Sequence, residues 1–331
     1  MTLKKFLPSG IVFFALLSLG AFTGSFRLLR QMYALSRESG GAEQPARAWN
    51  FALFLPDYRS PFFLDIIQGA QKAAEELNAD LSIHSVDPAK KELEMAVWSG
   101  FDGVIVCPYF EESLARKQLE KLREYHIPVV LINLNLAGGS PWPYVGTSNY
   151  EIGRSVGTAA AQASPGTVRP AVVYSDKAPG IDSGRGRLEQ GIASVLGDRL
   201  AAPVLPLRTD LNPLDVEDTL RRFFASRAGA EEAAVNTLVF TNTTDTAAAA
   251  ETLALLNGTD GAGPVTVIGF GSAPGIEDAI RRGVLVCTIV TNPVQIGGEA
   301  LRSLEALRRT GYTSMSINTQ ISIIDAASFT R

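Results

Sequence analysis

The sequence predicts an α/β protein, a doubly wound parallel sheet built twice in tandem. Three observations carry this. From residue 49 onward, short apolar runs alternate with amphipathic helical patterns. The runs are continuous in Val, Ile and Leu rather than alternating, as strands covered on both faces are. They are also too numerous for one ordinary sheet, and a weak seam at "YVGTSNYEIG" (144–153) divides them.

Composition agrees. A chain of 331 residues has room for about two domains. Its 46% hydrophobic and 19% charged residues suit a soluble protein with a sizeable core. The net charge is −4, with Lys and Arg scattered, which argues against nucleic acid as a partner. The two cysteines, Cys107 and Cys287, sit inside apolar runs and read as buried thiols in strands. With two histidines in the chain, neither a disulfide staple nor a metal site is expected.

Residues 1–26 do not read as globular. Lys4 and Lys5 precede a stretch, 6–26, of 21 residues without a charge. That is the form of a secretory signal, and close to the ~20 residues needed to span a bilayer. Gly20, or Ala21 with Thr23, makes a mediocre cleavage site, and no cysteine follows to receive a lipid. Export is expected, with the segment either cleaved or kept as an anchor in the cytoplasmic membrane. Residues 27–48 read as a stalk and linker.

The predicted strands are 50–55, 79–86, 103–107, 128–133, 171–175, 237–241, 265–270 and 284–290. The predicted helices are 61–78, 89–99, 111–125, 150–162, 183–197, 213–227, 244–257 and 275–282. The first helix is the most informative. Ser60 is placed to cap it, and Pro61 to occupy its first turn, where a missing N–H costs nothing. Phe63, Ile67, Ala70, Ala74 and Leu77 fall at helical spacing and form the expected buried stripe. Phe62 is off that stripe. In open α/β sheets ligands bind beyond the carboxyl ends of the strands, where this helix starts. Phe62 is therefore expected to offer its face to a ligand, and Phe63 to serve both core and ligand.

Seven segments, "SPFF…GAQKAAEELNADL", "FDGVIVCPYFEESL", "IPVVLINLN", "YVGTSNYEIGR", "VFTNTTDTAAAA", "VIGFGSAPGIEDAI" and "VCTIVTNPVQIG", occur in that order. Together they resemble type I periplasmic binding proteins, in particular the ribose- and galactose-binding group, over residues 49 to 325. The resemblance implies two Rossmann-like lobes joined by a three-crossing hinge. It implies an amino-terminal lobe of 49–148 plus 296–317 and a carboxyl-terminal lobe of 149–295 plus 318–331. It also implies a monomer that binds a small, carbohydrate-like ligand for an ABC permease or a membrane sensor, with no cofactor and no catalysis.

Carried over one at a time, the family's binding positions fall at Ser60, Phe62, Phe63, Asn133, either Arg185 or Arg187, Thr243 beside Asn242, Gly271, and Gln295 at the end of the hinge strand. Asn133-Leu134 stands where the family often has Asp-Arg, and Gly271 where "GFD" carries its aspartate. Carboxylate and guanidinium groups make the strong hydrogen bonds that grip paired hydroxyls. Their absence leaves open a sugar held differently, a less hydroxylated ligand, or no tight ligand.

Other chemistry is weakly signalled. "GFGSAPG" (269–275) lacks the lysine of a phosphate loop. "PGIDSGRGR" (179–187) reads either as an anion cradle at a helix start or as a loop with solvated arginines. His84 and His126 sit in no hydrolase or metal-ligand motif. Trp98 reads as packing and Trp142, in "GGSPWPYVG", as a second ligand wall. A transcriptional repressor with the same two-lobe core would need a helix-turn-helix in the first ~60 residues, where residues 6–26 are apolar instead.

Overall fold

A computed structural model describes residues 48–56, 61–86, 92–108, 111–136, 140–175, 181–210, 212–227, 234–257 and 263–329. Ser60, the stretch 6–26 and the stalk through residue 47 lie outside these residues. Among the described residues, no helix is long and apolar enough to cross a membrane.

Two six-stranded sheets organise the described residues. The first contains β1 (Trp49–Leu55), β2 (Ala79–Ser85), β3 (Gly103–Val106), β4 (Val129–Ile132), β5 (Tyr144–Gly146) and β11 (Ser316–Asn318). Its order is β11-β5-β4-β3-β1-β2, and every pairing is parallel. The second contains β6 (Pro170–Ser175), β7 (Leu205–Thr209), β8 (Thr237–Phe240), β9 (Thr266–Phe270), β10 (Cys287–Thr291) and β12 (Ile321–Asp325). Its order is β12-β10-β9-β8-β6-β7, parallel except where β12 runs against β10. The two lobes are therefore wound alike. Each reverses strand order beside its first strand, at the β1/β3 and β6/β8 junctions, and that is where such sheets bind ligands.

The helices are α1 (Pro61–Glu76), α2 (Glu92–Met95), α3 (Glu112–Glu124), α4 (Asn149–Ala163), α5 (Ile181–Leu196), α6 (Pro213–Arg227), α7 (Thr243–Leu256), α8 (Pro274–Arg281) and α9 (Pro293–Thr310). They cover both faces of each sheet, which is why the strands are continuously apolar. Along β1, Phe51, Leu53 and Leu55 face a core shared with α1 and α9. Ala52 and Phe54 face the opposite core, with α2 and α3. In the second sheet Val173 packs toward α6, α7 and α8, and Val172 and Tyr174 toward α4 and α5.

Several elements differ from expectation. The predicted helix 89–99 is a single turn, α2, followed by a 3-10 turn, Ala96–Trp98. Trp98, expected as packing, is 75% exposed. Cys107 lies just beyond β3 and Cys287 opens β10; both are free and buried. The buried stripe of α1 is Phe63, Ile66, Gly69, Ala70, Ala73 and Ala74, so Ile67 and Leu77 are only partly covered. The reason is α9, which sequence reasoning missed. It lies against α1 so closely that a Cβ on Gly69 would come 1.9 Å from the Val294 carbonyl oxygen, and one on Gly297 equally close to that of Ile66.

The chain passes between the lobes three times, between β5 and α4, between β10 and α9, and between β11 and β12. The crossings are laced together. Thr147 and Thr319 share a hydroxyl hydrogen bond of 2.8 Å, and Thr319 N–H donates to the Gly146 carbonyl at 2.9 Å.

Candidate functional site

In the first lobe, α1 opens at the carboxyl end of β1 and presents both phenylalanines there. Phe63 is 5% exposed and belongs to the core. Phe62 is half-buried, its ring edge-to-face with Phe63 at 5.3 Å. Asn133 follows β4 in a left-handed conformation (φ 60°), which Asn tolerates better than most residues. Its carbonyl accepts from the Tyr144 hydroxyl at 3.2 Å, and its side chain stands near the buried Cys107 thiol. Burial pushes that thiol up to about 12, with Asn133 pulling the other way. Trp142, expected as a ligand wall, is placed in the core instead. It is 4% exposed and clusters with Leu136 and Tyr144.

In the second lobe, Arg185 is on α5 and donates through Nε to Glu189 at 2.7 Å, its guanidinium 5.3 Å from the Tyr174 ring centre. The Tyr174 hydroxyl donates to the same Glu189 oxygen at 3.2 Å, and Arg208 stands 5.9 Å from its ring. Burial raises the Tyr174 pKa, with Glu189 adding to the effect. Arg187 is exposed. Sequence reasoning missed this Arg-Tyr-Glu-Arg cluster, because only the β6–β7 pairing brings Arg208 beside Tyr174.

Asn242 caps α7. Its Oδ1 accepts from Asp245 N–H at 2.7 Å, and its Nδ2 donates to Asp245 Oδ2 at 2.8 Å. Thr209 Oγ1 donates to that carboxylate at 2.6 Å. Asp245 is fully buried, and burial holds its pKa above the ordinary value of 3.8 despite these donors. Ser175 Oγ, at the end of β6, and Asp245 Oδ1 are buried with no hydrogen-bond partner among the described residues. Thr243, the next residue, faces Gly271, which follows β9 at φ 82°. Gly271 is pinned on both sides: its N–H donates to the Ile289 carbonyl at 2.8 Å, and its carbonyl accepts from Thr288 Oγ1 at 2.7 Å.

Gln295 was expected to end the hinge strand. It lies instead in the first turn of α9, since β10 stops at Thr291 and Asn292 caps the helix. Its Oε1 accepts from Gln320 N–H at 3.0 Å, joining the second crossing to the third. Thr147, Thr319 and Gln320, all hinge residues, gave no periodic signal in the sequence. Ser60 lies outside the described residues.

A search of curated proteins finds no match. The solved structures it resembles include GanP, a glucose-galactose binding protein from Geobacillus stearothermophilus. That match has 18% identity and a TM-score of 0.71 over 86% of this chain and 99% of the other. Another is an ABC transporter solute-binding protein from Agrobacterium vitis bound with alpha-D-tagatopyranose. It is 18% identical, with a TM-score of 0.69 over 85% of this chain and 96% of the other. A third is a periplasmic ribose ABC transporter structure from Conexibacter woesei, 22% identical, with a TM-score of 0.68 over 87% of this chain and 95% of the other. At these identities the likeness establishes the fold. The family model described as periplasmic binding protein domain matches residues 51–311, most of the chain, which therefore belongs to the periplasmic binding protein family.

Proposed function

We propose that this is an exported solute-binding protein that captures a small polar ligand, a sugar or sugar-like molecule, in a cleft between its lobes and hands it to an ABC importer. The observation that carries this is the matched winding of the two sheets. It sets Phe62 and Asn133 in one lobe, and Arg185, Arg187, Asn242, Thr243 and Gly271 in the other, at or near the carboxyl ends of strands. Gln295 stands at the hinge, and Ser60 is added on the family resemblance alone. Phe63 and Trp142 are both buried and back the first side rather than face the ligand.

The mechanism is closure. A ligand that touches both lobes favours the closed arrangement by its differential affinity for it. The movement would be absorbed where the three crossings run between the sheets, and the Gln295–Gln320 and Thr147–Thr319 bonds tie them to move together. No bond in the ligand is made or broken. The solved neighbours are described with tagatose and arabinose bound, which sets the first ligands to try.

The test is a thermal-shift panel of pentoses and hexoses on the purified protein. A ligand at 100 times its Kd stabilises by about 2.7 kcal/mol, a shift of several degrees. At least one sugar should give it, and Phe62→Ala should reduce it at the same ligand concentration. A flat response across the panel refutes the sugar reading. A second reading, a membrane-tethered sensor, is favoured by residues 6–26 if that stretch is retained.

A further inference from the structure

We propose that the amino edge of the first sheet is a membrane-facing surface, which seats this lobe on the bilayer that residues 6–26 enter. The proposal rests on reading that stretch as a retained membrane span.

Among the described residues, the aromatic rings that stand exposed are Trp98 (75%), Tyr125 and Tyr312 (76%). All three are at this edge. Trp98 ends the 3-10 turn ahead of β3, and Tyr125 follows α3 ahead of β4; their rings meet edge-to-face at 5.4 Å. Tyr312 follows α9. The exposed Met315 comes just before β11, and its carbonyl accepts from the N–H of Tyr144, the first residue of β5. The exposed Met95 is one turn ahead of Trp98. In the second lobe the large exposed hydrophobics are Leu205, Leu214, Leu255, Val286 and Ile323, with no aromatic ring. The asymmetry is between lobes of the same winding, so the fold itself does not demand these rings.

The chain enters the lobe at the same edge. Ala48 N–H donates to the Asn78 carbonyl, and Trp49 opens β1. Arg308 spans from Asp102, at 3.4 Å, to the Trp49 ring, 6.0 Å from its centre. Trp and Tyr combine an apolar ring with a polar tip, and both favour the headgroup depth of a bilayer.

The charges nearby are largely matched, with Lys121 on Glu94, Arg308 on Asp102 and Arg309 on Glu305. Matched charges give little attraction to anionic lipid, so a zwitterionic headgroup layer is the fitting surface. Separate rings on both faces of one sheet edge suit a plane of lipid better than a protein partner, which packs a contiguous core. The stalk, residues 27–47, reaches about 70 Å when extended, so a tether alone leaves the domain free to turn. The aromatic edge fixes its orientation. It holds Phe62 and Asn133, at the opposite edge, away from the bilayer, the orientation that the tethered-sensor reading calls for.

The experiment uses the full chain in phosphatidylcholine vesicles, with single cysteines at Trp98→Cys, Tyr125→Cys and Tyr312→Cys carrying a polarity-sensitive bimane. Leu214→Cys and Leu255→Cys are controls. The native thiols are buried and pushed up to about 12 and about 11, so they stay unlabelled. The edge labels should shift to the blue and be quenched several-fold more than the controls by brominated lipid, with or without added phosphatidylglycerol. Intrinsic fluorescence gives a probe-free check, because its quenching by brominated lipid should fall in Trp98→Phe. Edge labels that match the controls on a chain that floats with the vesicles overturn the proposal alone. A chain that does not float overturns the retained span and the proposal together. Edge labels that respond only when a second membrane protein is added assign the surface to that protein and overturn the lipid reading.

Discussion

Gly271→Asp places a carboxylate where the family resemblance leads one to expect it, and the fold should reject it. Gly271 has φ 82°, and a Cβ there would lie 1.9 Å from Thr243 Oγ1, 2.8 Å from its Cβ and 3.0 Å from its Cγ2. A left-handed conformation costs a residue other than Gly about 1–2 kcal/mol. Forcing Thr243 aside adds about 1–3 kcal/mol, the usual range for overpacking. Both costs arise at Cβ, so Gly271→Ala should lose nearly as much as Gly271→Asp, about 2–5 kcal/mol in urea unfolding. Turning the Thr243 hydroxyl away leaves its Cβ in place, so rotation alone does not relieve the contact. Thr243→Gly removes it. A double-mutant cycle should therefore show coupling of about 1–3 kcal/mol, with the conformational cost left over. Gly271→Ala within about 0.5 kcal/mol of the parent, or strictly additive effects, would refute the reasoning. A ligand at this position would then meet the Thr243 hydroxyl, not a carboxylate.

Other perturbations separate site from scaffold. Phe63→Ala should cost about 3–5 kcal/mol, because its ring is buried. Phe62→Ala should cost about 1 kcal/mol, chiefly the edge-to-face contact, while weakening ligand binding by about 1–3 kcal/mol; equal stability losses in melts of the two variants would make both rings core. Cys107 and Cys287 should not react with a thiol reagent at pH 8 until the protein is unfolded, since burial suppresses both thiolates; fast reaction of the native protein would contradict their burial. Asp245 binds its proton more tightly folded than unfolded, so its contribution to stability is full below the ordinary 3.8 and is lost as pH rises through the folded value. Asp245→Asn should remove that slope from urea midpoints measured across acid pH, and a difference from the parent that is constant with pH would refute it.

The fold was legible where period and punctuation agree. All eight predicted strands and all eight predicted helices are present in some form, because two-sided burial writes unbroken Val/Ile/Leu runs and helix faces write their own period. The four missed strands are short or exposed: β5 and β11 have three residues each, and β7 and β12 lie at sheet edges. The missed helix, α9, is different. Its start carries Asn-Pro and its end carries Arg308, Arg309 and then Gly311 at φ 74°, the usual signals of both ends. Gly297 and Gly298 hid it, since glycine pairs read as breaks. Gly297 is instead where α1 comes too close for a side chain, and only the partner helix could reveal that.

The site was less legible, and the reason is what its polar side chains already hold. Asn133, Arg185, Asn242 and Gln295 stand at or near the sheet ends or the crossings, and the last three are already engaged within the protein, with Glu189, Asp245 and Gln320 in turn. Two of those partnerships could be read in advance. Asn242 stands three residues before Asp245, the spacing of a reciprocal helix cap, and Arg185 four before Glu189, the spacing of a helical ion pair. The third could not, because Gln320 lies in a crossing with no period at all. The side chains with fewest ties inside the protein are Phe62, the Thr243 hydroxyl and the exposed Arg187. Among them they offer a flat apolar face, a neutral hydroxyl and one cation, and no carboxylate. A ligand gripped by these would be held by stacking and single hydrogen bonds rather than by paired charges, so ligand binding should depend more on Phe62 than on any one polar residue.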